Sequence, residues 1–95
     1  MRNLNNKEFS GLVKAVLSMK NDRELKKLFQ DLMTEKEIFE LSNRFKAAGM
    51  LQRGISYSII ENETKLSSTT IARVSKWLQK GKGGYLLALD RINKK

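Results

Sequence analysis

The sequence predicts an all-α chain of six helices, and three observations carry that expectation. No proline occurs in its 95 residues. The apolar residues recur at three- and four-residue spacing from one end to the other, which is the period of a helix with one buried face. The runs are punctuated as helices are, with Ser, Thr, Asn or Asp before them and Gly after several of them. No strand pattern, internal repeat or low-complexity linker interrupts them. Residues 1–95 therefore read as a single helical domain, within the usual size range of one domain.

Phe9, Leu12, Val13, Val16 and Leu17 share one face of a first helix. Leu25, Leu28, Phe29 and Leu32 share a face of a second, opened by Asn21 or Asp22. A chain this small buries only a modest core, and an oligomer solves that problem. The N-terminal helices, residues 6–33, are assigned to dimerisation. Thr34-Glu35-Lys36-Glu37 is a capping box, in which the Thr oxygen accepts from an early helix N–H and Glu37 reaches back. It opens a third helix from about Glu35 to Arg53, striped by Ile38, Leu41, Phe45, Ala48 and Leu51 and stopped by Gly54. Ser56 is placed to cap a fourth helix, Tyr57 to Thr64, and Ser67 a fifth, Ser68 to about Lys80. Gly81-Lys82-Gly83-Gly84 is a loop. A last helix, Tyr85 to Asn93, turns Leu86, Leu89 and Ile92 to one side, and a frayed tail follows.

Composition narrows the function. The formal charge is +9, and it is unevenly spread. Residues 1–64 hold eleven basic and nine acidic side chains; residues 65–95 hold eight basic side chains and one acid, Asp90. A basic last third suits a polyanionic partner. There is no cysteine and no histidine, so no thiolate nucleophile, no disulfide and no imidazole base or metal ligand is available. The acids are scattered over capping and solvent-face positions. The chain is read as no enzyme, with no metal and no cofactor. No signal peptide opens it and no run of 18 apolar residues occurs, which predicts a soluble, cytoplasmic protein away from the membrane.

The fourth and fifth helices are separated only by Lys65, Leu66 and Ser67. Two helices joined so tightly cross steeply, as in a helix-turn-helix over about residues 56–80. Ile60, Leu66, Ile71 and Val74 then pack the inside of the corner. Ser68, Thr69, Ala72, Arg73 and Lys76 face outward or sideways. Small hydroxyl residues at the start of such a helix enter a major groove without filling it, and bond phosphate or base edges. The helix N-terminus presents free N–H groups to phosphate. The competing reading is a helical hairpin inside a bundle, with Ser and Thr serving only as caps.

From about Phe9 to Ile92 the chain resembles the tryptophan-repressor superfamily, and within it the YerC/YecD-like branch. The resemblance is carried by "DLMTEKEI", "NRFKAAGMLQRGISYSII", "LSSTTIARVSKWL" and "GKGGYLLALDRI". It implies an all-helical, six-helix fold, an intertwined homodimer, binding of double-stranded DNA and transcriptional repression. It also implies a position for a tryptophan corepressor. Arg44 and Arg73 match two arginines that sandwich the ligand's ring, Thr34 matches a threonine at its amino end, and Thr70 is also shared. Two positions depart from that pattern. Val74 stands where the resemblance puts a small glycine, and Trp77 where it puts the serine that holds the ligand's amino group. A valine narrows the slot and an indole replaces a small hydrogen-bonding group, so the slot is expected to be occluded, with Trp77 filling part of it. Core packing of Trp77 against the last helix is the alternative, and Arg44 reads equally as an ion-pair partner of Glu40 or Glu37. Lys65 stands where motifs of this type have glycine at a positive-φ turn, at a cost of roughly 1 kcal/mol.

The residues expected to meet DNA are thus Lys65, Ser67, Ser68, Thr69, Thr70, Ala72, Arg73, Lys76, Lys80 and Lys82. Lys65, Arg73, Lys76, Lys80 and Lys82 anchor phosphates in this reading. The glycine loop holding Lys82 is either a close approach to the backbone or a plain connector; it is no P-loop, since no strand precedes it. The rival class is an RNA-binding, non-specific nucleic-acid-binding or interaction module without a regulatory ligand. Most of the few aromatics fall on predicted core faces, which leaves little for stacking on single-stranded bases.

Overall fold

The computed structural model describes residues 6–94. Among them are six helices and no strand: α1 (Lys7–Ser18), α2 (Asp22–Leu32), α3 (Glu35–Gln52), α4 (Tyr57–Thr64), α5 (Ser68–Lys80) and α6 (Gly84–Asn93). None is long and apolar enough to cross a membrane. The chain divides into two compact units, one ending at Ile38 and the other beginning at Phe39.

In the first unit the helix starts are fixed by side-chain caps. Asn6 Oδ1 accepts from the N–H of Phe9 at 2.6 Å. Asn21 Oδ1 accepts from the N–H of Glu24 at 2.9 Å, and the Glu24 carboxylate accepts from the N–H of Lys20 at 2.8 Å. The expected capping box is present: Thr34 Oγ1 accepts from the N–H of Glu37 at 3.1 Å, and Glu37 Oε1 from the N–H of Thr34 at 2.9 Å. Two early N–H groups are satisfied reciprocally. The apolar faces of α1 and α2 also form, but neither helix holds a buried residue. Phe9, Leu12, Val13, Leu17 and Leu32 are exposed, Leu17 by 78 %.

The second unit holds the core. Ala47, Met50, Ile60, Leu66 and Ile71 form one buried cluster, joined by Leu51 and Ile55. Ala48, Val74 and Leu89 form another, joined by Phe45, Leu51, Leu78 and Tyr85. The Phe45 and Tyr85 rings meet tilted, with centroids 6.3 Å apart. Four consecutive residues of α3, Ala47 to Met50, are buried, so this stretch is enclosed on two sides. The expected five-residue stripe is corrected here: Ala48 is buried, Ile38, Phe45 and Leu51 are half-buried, and Leu41 is exposed. Small side chains at Ala47, Ala48 and Gly49 admit neighbours on both flanks, which a single-stripe pattern does not register. The α6 face is corrected likewise, since Leu89 is buried while Leu86 and Ile92 are exposed. Phe9, Phe39 and Tyr57 are exposed as well, against the expectation that the aromatics lie mostly in the core.

The helix ends differ from expectation by one residue. α3 ends at Gln52 and α6 begins at Gly84. Gly54 stops α3 with φ 77°. Its N–H reaches Leu51 O at 3.0 Å and the next N–H, of Ile55, reaches Met50 O at 3.0 Å. This is the paired closure typical of a left-handed helix end, with the apolar Ile55 folded back on the core.

Two glycine substitutions separate packing from backbone. A Cβ on Gly49 would lie 3.5 Å from Arg53 Nη1 and 3.5 Å from Leu89 Cδ2, ordinary contact distances. Gly49→Ala is expected to raise stability by about 0.5–1 kcal/mol through helix propensity. Gly54→Ala, at positive φ, is expected to lower it by about 1 kcal/mol. Urea unfolding followed by circular dichroism checks both signs.

Candidate nucleic-acid interface

The interface is built on α4, the turn after it, and α5. α4 is short and carries two fully buried side chains, Ile60 and Thr64. Ser56 occupies its N-cap position but makes no side-chain cap bond. Its Oγ lies 3.4 Å from Ser58 Oγ instead, which corrects the expected cap. Lys46 on α3 reaches Glu63 on α4 at 3.6 Å. Both are about half exposed, so this pair adds little stability.

The turn is tightly held. Lys65 is left-handed, with φ 62°, the positive φ expected of that position. Its N–H reaches Glu61 O at 2.8 Å. The hydroxyl of Thr64 donates to Ile60 O at 2.7 Å and accepts from the N–H of Leu66 at 3.2 Å. The Leu66 side chain is buried against Ile60 and Ile71. Ser67 then caps α5: its Oγ accepts from the N–H of Thr70 at 3.1 Å and donates to Thr70 Oγ1 at 3.1 Å.

This sorts the sequence-derived residues. Ser67 and Thr70 have their hydroxyls engaged with each other, and Thr70 is half-buried. Ser68, Thr69, Ala72, Arg73 and Lys76 are exposed. Their spacing of one, four, five and eight positions places them on one face of α5. Lys80 continues that face and is exposed, as are Lys65 before the helix and Lys82 after it. Among the described residues the ion pairs are Lys26–Asp22, Arg44–Glu40, Lys46–Glu63 and Lys94–Asp90. Lys65, Arg73, Lys76, Lys80 and Lys82 take part in none of them. Five cations therefore stand on α5 and its two flanking turns without an acid.

The residues of the expected ligand slot make the following contacts. The Thr34 hydroxyl caps α3 in the first unit. Arg44 Nη2 pairs with Glu40 Oε2 at 3.1 Å, one of the two acids anticipated for it, while its Nε is buried without a hydrogen-bond partner. Val74 is 1 % exposed and belongs to the core with Ala48 and Leu89. Trp77 is half-buried, and its carbonyl accepts from the N–H of Gly81 at 2.9 Å, closing α5. Leu78 and Tyr85 pack where α5 and α6 meet. A Cβ at Gly81 would collide with the Trp77 carbonyl, so a glycine is required at that exit.

Over residues 7–93 the sequence matches the profile of the Trp repressor protein family. The chain belongs to the Trp repressor family. Within that family it is 42% identical over 89 residues to the uncharacterised protein YerC of Bacillus subtilis, spanning 94% of this chain and 86% of that one. The crystal structure of a TrpR-like protein from Eubacterium eligens superposes with a TM-score of 0.90 at 35% identity, covering 97% of both chains. A candidate Trp repressor from Staphylococcus aureus gives 0.88 at 38% identity, covering 97% of this chain and 92% of that one. The six-helix, all-α Trp-repressor-like fold expected from the sequence is thus the fold of this family member, in its YerC-like branch.

Thr64 is the residue that sequence reasoning missed. A polar residue at the end of a short amphipathic helix reads as solvent-facing. Its one signal is placement: it precedes the left-handed residue and sits four positions after Ile60, where a Thr hydroxyl reaches back to a carbonyl.

The two serines at helix starts make a direct comparison. Ser67→Ala removes a formed cap and is expected to lower stability by about 1 kcal/mol. Ser56→Ala removes none and is expected to change stability by less than about 0.5 kcal/mol. Denaturant midpoints of the two variants at equal m-value check the contrast.

Proposed function

We propose that the chain binds double-stranded DNA sequence-specifically as a homodimer and regulates transcription, as a repressor. The observation that carries this reading is the exposed α5 face of Ser68, Thr69, Ala72, Arg73 and Lys76, flanked by Lys65, Lys80 and Lys82 with no acid paired to any of the cations. Small side chains on the first turn let the helix end approach base edges. Arg73, Lys76 and the flanking lysines reach phosphates and fix the register. Ser67 and Thr70 hold the helix start and contribute through position. Membership of a family named for a repressor, and the description of the Staphylococcus neighbour, support regulation.

The homodimer is supported by α1 and α2, which hold no buried residue in one chain and leave Phe9, Leu12, Val13, Leu17 and Leu32 exposed. A two-fold pair presents two copies of α5, which read half-sites on the order of 34 Å apart. Single-stranded RNA is less well served, because the exposed aromatics Phe9, Phe39 and Tyr57 lie outside α5 and its turns.

Tryptophan control is not part of this proposal. The Val74 side chain is a core element beside Arg73, and Arg44 is already paired with Glu40. The reading heads are held by the chain's own side chains, without a metabolite.

Three measurements test this reading. With about six phosphates neutralised, the slope of log affinity against log salt is expected near −5; a slope near zero sinks the electrostatic surface. Arg73→Ala and Lys76→Ala weaken binding to any duplex, whereas Ser68→Ala and Thr69→Ala mainly alter which duplex is preferred. Titration with L-tryptophan in a calorimeter is expected to give no binding in the micromolar range; binding there contradicts an occluded slot.

A further inference from the structure

Thr64 is the buried polar side chain among the described residues, with 0 % of its surface exposed. Burying a hydroxyl is unfavourable unless both its donor and acceptor functions are met. Here both are met, and by backbone groups on either side of a helix junction. The hydroxyl donates to Ile60 O at 2.7 Å, inside α4. It accepts at 3.2 Å from the N–H of Leu66, which already belongs to the connection leading into α5.

The rest of the connection is fixed by other means. The Lys65 N–H reaches Glu61 O, and Ser67 caps α5 on its own. The Leu66 N–H is the backbone donor in this turn that is satisfied by a side chain of α4. A valine of the same shape would fill the space beside Ile60 and leave that N–H unpaired in a dry corner. The chain could then satisfy it only by rotating the peptide, and that moves everything after it.

We propose that the Thr64 hydroxyl sets the angle at which α5 leaves α4, and so acts as the positioning residue of the reading helix. It touches no DNA. It acts through Leu66, whose side chain is packed against Ile71 of α5, and through the backbone that leads into Ser68 and Thr69. The proposal rests on the DNA-reading function proposed above. Phosphate attraction tolerates small rotations of a charged helix, whereas base-edge contacts do not. A change of angle therefore lowers discrimination between duplexes more than it lowers affinity for DNA in general.

The test compares the full chain with its Thr64→Val and Thr64→Ser variants, each verified as folded by circular dichroism. Amide hydrogen exchange at Leu66 is measured by NMR, together with residual dipolar couplings of α4 and α5. Affinity is measured for a duplex enriched from random sequence and for a scrambled one. In Thr64→Val, Leu66 exchange is expected to accelerate at least about tenfold, the α5 couplings to shift relative to those of α4, and the ratio of the two affinities to fall about tenfold. Thr64→Ser, which keeps the hydroxyl, restores all three. Unchanged Leu66 exchange overturns the proposal, and so does faster exchange with unchanged couplings, because the hydroxyl is then only a local cap. If the wild-type chain discriminates no duplex, the DNA-reading function fails, and the couplings alone still decide the role of Thr64. Should Thr64→Val not fold, Thr64→Ala is measured in the same way.

Discussion

The short connection between α4 and α5 constrains everything that follows it. Three residues must reverse the chain from one helix into another and leave no buried backbone group unpaired. The chain meets this with a left-handed Lys65, a side-chain acceptor from Thr64 and a serine cap at Ser67. Ile60, Leu66 and Ile71 fill the inside of the corner. The outside of α5 is then free of packing duties. Its composition is then free to suit the proposed DNA partner, and small hydroxyls, an alanine and cations stand there together.

A lysine at the left-handed position costs stability that a glycine would not. The cost is tolerable in a corner closed by three buried apolar side chains. The lysine brings a cation to the edge of α5, next to the residues proposed to read bases. Local backbone preference and surface electrostatics conflict at this position, and the cation is kept. A similar division runs through Ser67 and Thr70. Their hydroxyls face each other at the helix start, which leaves Ser68 and Thr69 as the hydroxyls available to an outside partner.

Much of this was legible in the sequence. The capping box at Thr34, the stop at Gly54 and the cap at Ser67 follow from residue type and spacing, because each is a local event, whereas the positive φ at Lys65 was legible only from its place in the motif. The exposed face of α5 followed from helical period alone. What did not follow depends on tertiary surroundings. The enclosure of Ala47 to Met50 on two sides is invisible to a one-stripe pattern, since alanine and glycine carry little periodic signal. The exposure of Phe9, Leu41, Leu86 and Ile92 was missed because periodicity identifies an apolar face without saying whether the rest of the chain covers it. The buried hydroxyl of Thr64 was missed because nothing in a polar residue's type reveals that its partners are backbone groups. The burial of Val74 was legible from the helical period, but it packs with Ala48 and Leu89 rather than with Ile60, Leu66 and Ile71 as expected, because period does not say which neighbour a face meets.

The central claim is that α5 of two copies reads duplex DNA, and selection of binding sites from random duplex sequence tests it most directly. Enrichment of a palindrome whose half-sites are one helical turn apart, about 10 base pairs, is the result expected. Recovery of no enriched sequence, with binding that follows duplex length alone, would contradict it.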